Sequence, residues 1–186
     1  KFTFNVGTTV NEIRYYTTTN PYYGFGAEQN GTVTMYHYRT TTLNLQQILN
    51  YSHNFGKHNI SVMLGHESYK YNYAELSASK KNMFSYWGNH ELNGAVIDGS
   101  SAASYSNDYN TEGYFFRALY DYDAKYYFSA SYRRDASSRF HPDHWWGNFY
   151  SVGGAYLMSK EDWFDVKWID MLKIKFSIGQ QGNDNI

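Results

Sequence analysis

The sequence has no cysteine, only two prolines and no long apolar run. The lack of cysteine excludes a disulfide framework and thiolate metal sites. A membrane-spanning helix needs roughly 18 consecutive apolar residues, and no segment approaches that length. The 16 Lys and Arg residues are balanced by 17 Asp and Glu residues without a basic run, which argues against a nucleic-acid partner.

Aromatic residues, by contrast, are abundant. They make up 20% of the 186 residues, with 21 Tyr, 12 Phe and 5 Trp, yet the mean hydropathy is only −0.67. Strands of a membrane barrel combine these properties, because lipid-facing apolar residues alternate with polar lumen-facing ones between aromatic girdles. The composition therefore predicts an all-β fold, a transmembrane antiparallel up-and-down β-barrel.

The pattern of strands and connections supports this fold class. Seven strands are predicted at residues 1–10, 34–54, 60–76, 112–121, 126–136, 148–158 and 171–180. Short links at 56–59, 122–125 and 159–170 alternate with longer ones near 11–33, 77–111 and 137–147. An outer-membrane barrel has short turns at its periplasmic rim and long loops at its other rim. Since single-chain barrels need at least about eight strands, we expect residues 1–186 to be part of a larger barrel domain.

Alternation with a period of two is clearest in the last predicted strand. Its apolar positions are Leu172, Ile174, Phe176 and Ile178, and its other positions are Lys173, Lys175, Ser177 and Gly179. Because successive side chains of a strand point to opposite faces, the first set is predicted to face lipid and the second the lumen.

A specific resemblance appears further along the chain. Residues 131–140 read Ser-Tyr-Arg-Arg-Asp-Ala-Ser-Ser-Arg-Phe, and Trp146-Gly147 follows them. This run resembles the conserved barrel motif of the SusC/RagA family of TonB-dependent outer-membrane transporters. Upstream, Leu64-Gly65-His66-Glu67 is similar to a strand motif of the same family. The good match covers the last 75 residues or so, and the first 110 match only in layout.

The resemblance implies a plugged barrel of about 22 strands in the cell outer membrane. It also implies that a SusD-like surface lipoprotein caps the barrel and helps to capture oligosaccharides or peptides, while the TonB complex supplies the energy. The plug and the TonB-contacting segment are not found in this sequence. Outer-membrane lipid is the remaining expected partner, and no cofactor is expected.

Most of the motif is interpreted as structural, because an arginine and a carboxylate at a strand end can hold loop geometry through charge-assisted hydrogen bonds. The structural motif residues are Arg133, Arg134, Asp135, Ser137, Ser138, Arg139, Phe140, Trp146 and Gly147.

Aromatic residues in the predicted loops are candidate ligand-binding or partner-binding groups. They are Tyr86, Trp87, Tyr105, Trp145 and Trp146. Exposed aromatic faces stack on sugar rings or dock a partner, and the alternative is an interface anchor or packing within the loop. Residues 77–111 are expected to help form the outer vestibule, where they would touch the lipoprotein or the cargo.

Metal and catalytic sites are not expected. His141-Pro142-Asp143-His144 is the tightest His and carboxylate cluster, and residues 107–112 supply oxygen ligands of the kind that calcium prefers. Both are interpreted as polar loop segments. No motif of a hydrolase, a phosphate-binding loop or a zinc protease is present, so we expect no enzyme.

A second function remains compatible with the sequence. A passive porin or a surface adhesin would use the same barrel wall, with the Tyr-rich loops as the adhesive surface. A plug and a TonB-contacting segment elsewhere in the full protein would distinguish the importer from these.

Overall fold

The computed structural model describes residues 1–183, with the side chains of residues 99 and 100 excepted. Seven strands form one sheet in which each strand pairs with its neighbours in sequence. They are β1 (Phe2–Thr19), β2 (Thr32–Phe55), β3 (His58–Met83), β4 (Ala95–Tyr122), β5 (Tyr126–Ser137), β6 (Trp146–Leu157) and β7 (Lys173–Gly179). Four short 3-10 helices lie at Gly24–Gln29, Leu92–Gly94, Pro142–His144 and Met158–Lys160. The predicted number and order of strands are confirmed.

The predicted long loops at 11–33 and 77–111 are wrong in extent. Strands β1 to β4 contain 18, 24, 26 and 28 residues, so the real connections are only residues 20–31 and 84–94. The N-terminal part of β4 is rich in Ser, Asn and Ala, a composition of low strand propensity. Pairing with a neighbouring strand nevertheless satisfies its backbone groups, and this tertiary effect overrides the local preference.

The chain divides into two compact units. The described part of unit 1 comprises residues 1–7, 44–69 and 109–183, and unit 2 comprises residues 8–43 and 70–108. Strands β5, β6 and β7 belong to unit 1 alone, whereas β1 to β4 contribute to both units.

The predicted alternation in unit 1 is confirmed. Ile174 and Phe176 of β7 pair with Tyr156 and Gly154 of β6, and the apolar face that they form is exposed, with Phe176 71% accessible. Lys175 lies on the opposite face of the strand. Leu172 precedes the strand, so the alternation begins at Lys173.

The two tight turns of unit 1 lie side by side. The backbone N–H of Asp123, in the β4–β5 turn, donates to the carbonyl oxygen of Lys57, in the β2–β3 turn, at 2.7 Å. Trp145 lies at the opposite end of β5, where its carbonyl oxygen accepts from the N–H of Ser137. The short turns at 56–59 and 122–125 and the longer link at 137–147 therefore lie at opposite ends of unit 1, as the predicted layout requires.

Few side chains are buried in the described part of the chain. Val33, Met83 and Ala95 form the buried hydrophobic cluster, while large apolar side chains of every strand are exposed. Among residues 1–183, no helix has the length and apolarity needed to cross a membrane.

Candidate functional site

Unit 2 carries two loops that are tied to each other. Asn30 and Asn82 both have positive φ, and the Asn30 side-chain amide donates to Oδ1 of Asn82 at 2.6 Å. The backbone N–H groups of Asn82 and Met83 donate to the carbonyl oxygens of Gly31 and Asn30. Asparagine tolerates the left-handed conformation better than most residues, so the sequence favours this geometry at both positions. The end of loop 20–31 is thus fixed to the end of β3.

A small hydrophobic cluster stabilises the same place. Val33, Met83 and Ala95 are buried, and Leu92 packs against them. They come from the start of β2, the end of β3, the start of β4 and the loop before it. The cluster gives both loops an ordered base, because a buried apolar side chain contributes roughly 1.5–3 kcal/mol.

Five aromatic side chains on these two loops point away from that base, and we call them the aromatic tips. Their exposed fractions are 72% for Tyr22 and Tyr23, 95% for Phe25, 76% for Phe84 and 77% for Trp87. Exposed aromatic groups on an ordered base are typical of an interaction surface. Sequence reasoning identified Trp87 and missed the other four, although the turn residues Asn20, Pro21 and Gly24 in the first loop were an available signal.

Loop 84–94 is also fixed to β1. Arg14 Nη2 lies 3.0 Å from both carboxylate oxygens of Glu91, and the rings of Tyr16 and His90 stack at 4.5 Å between centroids. Tyr86 packs edge-to-face against Trp87 at 5.1 Å. Trp87 is therefore presented by a loop that is restrained at several points.

A row of stacked tyrosines crosses all four strands of unit 2. Its members are Tyr15, Tyr36, Tyr38, Tyr73 and Tyr105, with neighbouring ring centroids 4.7 to 6.3 Å apart. Tyr105, which was predicted to lie in a loop, is in β4 at the end of this row. Because most of these rings turn their faces to one another, the row supports the strands more than it offers faces to a ligand.

The family motif lies in unit 1, at the end of β5. Arg133 Nε is 2.7 Å from both carboxylate oxygens of Asp135, and its Nη2 is 3.6 Å from Glu67. The Arg133 guanidinium also lies 5.5 Å from the ring centroid of Phe115, whose ring covers Gly65 so closely that a Cβ there would collide with it. The Leu-Gly-His-Glu segment and the motif are thus brought into contact.

The remaining motif residues make contacts at the end of unit 1 where β5 ends and β6 begins. Ser137 is buried, and the Ser138 hydroxyl accepts from the N–H of Asn110 at 2.9 Å. The Arg139 guanidinium carbon lies 4.2 Å from the ring centroid of Tyr109, and the Phe140 carbonyl accepts from the Trp145 indole at 2.8 Å.

Trp146 begins β6 and contacts one side chain of β5 and one of β4. The Arg134 guanidinium carbon is 4.9 Å from its ring centroid, and the Tyr114 ring stacks on it at 6.0 Å. Gly147 follows, where a Cβ would press on the ring of Phe149. Trp145 and Trp146 therefore belong to the motif end of unit 1, while Tyr86, Trp87 and Tyr105 belong to unit 2.

Ion pairs join the short turns of unit 1. Lys57 donates to Asp123 at 3.0 Å, which lowers the pKa of Asp123 below its usual 3.8 and raises the pKa of Lys57 above 10.5. Glu161 accepts from Tyr126 and Lys125, and these two contacts lower its pKa below 4.5, while Glu161 raises the pKa of Lys125. Their closeness shows that these connections share one rim.

Of the His141–His144 segment, the structure brings two side chains together. His141 Nδ1 and Asp143 Oδ2 are 3.4 Å apart, and both side chains are exposed. Within residues 1–183, no three His, Asp or Glu side chains are grouped so that they could hold an ion.

No protein-family model matches the chain. It is similar to TonB-dependent receptor P3 of Formosa agariphila, with 32% identity over 167 residues that cover 87% of this chain and 16% of that protein. It is also similar to TonB-dependent receptor SusC of Bacteroides thetaiotaomicron, with 26% identity over 97% of this chain and 17% of that protein. The chain therefore spans about a sixth of the length of these relatives.

Solved structures give the same result for the fold. The structure of the RagAB peptide transporter matches all of this chain and 21% of its own, with a TM-score of 0.88 and 25% identity. The RagAB peptide importer in its closed-closed state matches 96% of the chain, with a TM-score of 0.86 and 24% identity.

The exposed apolar face, the antiparallel strands and these matches define the class: the chain is a segment of the β-barrel of a TonB-dependent outer-membrane receptor. More narrowly, it belongs to the SusC/RagA family, as the motif at residues 131–140 predicted.

Proposed function

We propose that the chain forms part of the outer-membrane channel of a TonB-dependent nutrient importer. In this proposal the strands of the chain cross the cell outer membrane several times, with the short turns on the periplasmic side. The cargo is an oligosaccharide or a peptide, captured together with a SusD-like lipoprotein, and the TonB complex drives import through a part of the protein outside this chain. The names of the relatives support it, since one is a TonB-dependent receptor and RagAB is a peptide transporter.

The proposed recognition role rests on one observation: the aromatic tips are exposed side chains on loops whose backbones are held in place. Phe25 is 95% exposed, yet its loop is hydrogen-bonded to the end of β3 and rests on a buried cluster. A side chain carried by a backbone that is already ordered loses less conformational entropy on binding than one on a mobile loop. We therefore assign the aromatic tips to contact with the capping lipoprotein or the cargo.

Trp145 and Trp146 are assigned a positioning role at the motif end. The indole N–H of Trp145 is already donated to Phe140, and the ring of Trp146, which stays 39% exposed, contacts Arg134 and Tyr114. These contacts favour the interface anchor over a ligand-binding role, and they agree with a structural role for the motif arginines.

The test replaces Phe25 and Trp87 together by serine in the intact transporter. Loss of central aromatic contacts typically costs at least about 2 kcal/mol, so capture of the lipoprotein or uptake of cargo should fall roughly 30-fold. Trp168→Ser is the matched control, because Trp168 is 83% exposed but lies in the β6–β7 link. If the double variant captures the lipoprotein and takes up cargo at wild-type levels, the aromatic tips have no part in recognition.

The deletion that tests the loop follows the observed strand ends. Removing residues 85–93 leaves β3 and β4 intact, whereas a deletion to residue 108 would remove half of β4. If the loop is disposable, partner capture and uptake stay unchanged after the shorter deletion.

A separate measurement distinguishes the importer from a passive porin or an adhesin. Uptake of oligosaccharides and peptides is compared in cells with and without a functional TonB complex. An importer loses uptake when TonB is inactive, while a porin continues to admit solutes and an adhesin transports nothing in either strain.

A further inference from the structure

The apolar face of unit 1 is arranged in rows of side chains that cross β4, β5 and β6. Residues paired directly across antiparallel strands point to the same face, so the register defines each row. The row nearest to the short turns is Tyr122, Tyr126 and Tyr156, and three rows further on lie Phe116, Tyr132 and Tyr150. The two rows between them contain no charged side chain. This face is therefore an uncharged band bordered by aromatic rows, as expected for a wall that contacts lipid.

Arg134 is the first charged side chain beyond this band. In the next row it lies between Tyr114 of β4 and Asn148 of β6. From Tyr126 to Arg134, β5 contains nine residues counting both ends, and a tilted membrane strand needs about 9–11. Arg134 is therefore at the membrane edge opposite the short turns. Two strands flank β5 on each side, and this face points away from the barrel interior, so closing the sheet adds neither a plug nor a strand next to Arg134.

The guanidinium group of Arg134 is held on the rim side of the band. Its carbon lies 4.9 Å from the ring centroid of Trp146, which pairs with Ala136, two residues beyond Arg134. Asn148, directly across the row, accepts a hydrogen bond from the Tyr132 hydroxyl at 2.7 Å through Oδ1, so its NH2 group is left as a donor beside Arg134. Arginine and tryptophan side chains at this level of a barrel lie where lipid headgroups begin.

The charge of Arg134 has no partner within the described part of the chain. Among residues 1–183, no carboxylate forms an ion pair with it. Glu112 is the carboxylate of this face on β4, where it pairs with Ala136. Its Oε1 accepts a hydrogen bond from the Tyr114 hydroxyl at 2.7 Å and lies 3.3 Å from His66 Nε2. Glu112 is thus engaged by β3 and β4, and Arg134 is open to an anion from outside the protein.

We propose that Arg134, positioned by Trp146, binds the phosphate group of a lipid in the outer leaflet of the outer membrane. The inference rests on the proposed function, which places these strands in that membrane. A guanidinium group binds phosphate oxygens through two parallel N–H groups. The acyl chains of the same lipid lie against the apolar rows next to Arg134. A lipid without a phosphate makes the same apolar contact and leaves the guanidinium group without a counter-charge.

The test counts lipids on the purified full-length transporter by native mass spectrometry. The protein is delipidated in detergent and titrated with diphosphoryl lipid A, or with the same lipid after removal of both phosphates. Arg134→Gln is compared with Arg117→Gln, which makes the same change of charge. Arg117 is the matched control because it is an exposed arginine of β4 on the opposite face, where it pairs with Ser131.

Arg134→Gln should bind one diphosphoryl lipid A at least about fivefold more weakly than the wild type does, because a hydrogen bond between charged groups is lost. Arg117→Gln should match the wild type, and the dephosphorylated lipid should bind to wild type and Arg134→Gln alike. Arg134→Lys keeps the charge and loses the paired N–H groups, so its affinity should lie between those of Arg134→Gln and wild type. It decides the test if Arg134→Gln does not fold, and wild-type affinity of the lysine variant would then contradict the proposal.

Four other results would overturn the proposal. They are wild-type lipid binding by Arg134→Gln, an equal loss in both glutamine variants, the same loss with the dephosphorylated lipid, and displacement of the lipid by inorganic phosphate. The last would assign the site to a free anion. TonB-dependent uptake is measured separately in cells. Uptake without a phosphate preference contradicts this site alone, and a phosphate preference without TonB-dependent uptake contradicts the importer function alone.

Discussion

The two units of the chain are stabilised in different ways. In unit 1 one face of the sheet is apolar and exposed, and the other is polar. The close contacts of unit 1 lie at the motif end and at the rim with the short turns. In unit 2 a tyrosine row crosses the four strands, and a small buried cluster joins β2, β3 and β4.

The length of the strands explains the difference. A tilted membrane strand needs about 9–11 residues, which β5 and β6 match with 12 each, while β4 has 28. A strand facing lipid needs no further apolar partner, because the bilayer receives its apolar side chains. Most of the additional length of β1 to β4 belongs to unit 2, where the tyrosine row and the buried cluster supply the side-chain packing.

The largest effect is expected from Tyr38→Ala in unit 2. Tyr38 stacks with Tyr15, Tyr36 and Tyr73, and aromatic pairs contribute about 0.5–1.5 kcal/mol each beyond their buried area, so the loss should reach roughly 2–4 kcal/mol. Hydrogen exchange should accelerate in residues 32–43 and 70–80. Tyr38→Phe is the control, since it keeps the ring and loses only the hydroxyl contact with Tyr15. Unchanged exchange after Tyr38→Ala would show that the row is not what stabilises unit 2.

The next effect is expected from Gly65→Ala in unit 1. The added methyl group would collide with the ring of Phe115, and overpacking of this kind costs about 1–3 kcal/mol. The urea midpoint of the folded barrel, read by its gel mobility, should fall. In Gly154→Ala the new Cβ would meet only a carbonyl oxygen at 3.8 Å, so this control should unfold like the wild type. Equal midpoints for the two variants would contradict the close packing seen here.

A smaller, stabilising change is expected at the β4–β5 turn. Asp123 and Ala124 both have positive φ in a turn that the N–H of Lys125 closes on the carbonyl of Tyr122, and Asp-Gly is the favoured central pair of such turns. Because an L-residue with a Cβ pays about 1–2 kcal/mol in the left-handed conformation, Ala124→Gly should raise the urea midpoint by an amount equivalent to roughly 1 kcal/mol. A lower midpoint would mean that the greater freedom of glycine in the unfolded chain outweighs the relieved strain.

The smallest effect concerns the pH dependence of the turn rim. The pKa of Asp123 is lowered by Lys57, so its contribution is present above the unfolded value of 3.8 and is lost as the pH falls through the lower folded value. The pKa of Lys57 is raised, so its contribution is present below 10.5 and is lost as the pH rises through the higher folded value. The difference in midpoint between wild type and Asp123→Asn should therefore be constant near neutral pH and vanish in strong acid. A difference that persists in acid would assign the effect to geometry and not to charge.

The sequence by itself determined the features that depend on near neighbours. Local sequence was enough to predict three features: the alternation in β7, the tight turns at Gly56 and Asp123, and the motif from Ser131 to Phe140. The strand count and the family followed from them. Local sequence was not enough to predict the strand ends at Thr19, Met83 and Ala95. Polar residues in a long strand resemble a loop, and only pairing with a neighbouring strand distinguishes them.

Only the tertiary structure decided which distant residues meet. Tyr15 and Tyr105 belong to one row, and Ser131 and Ser151 share a hydrogen bond, because cross-strand register places them there. A shift of one residue in any pairing would send each of these side chains to the other face of the sheet. Register is set by hydrogen bonds and turns along the whole sheet, so no local pattern at Tyr105 or Ser131 contains it.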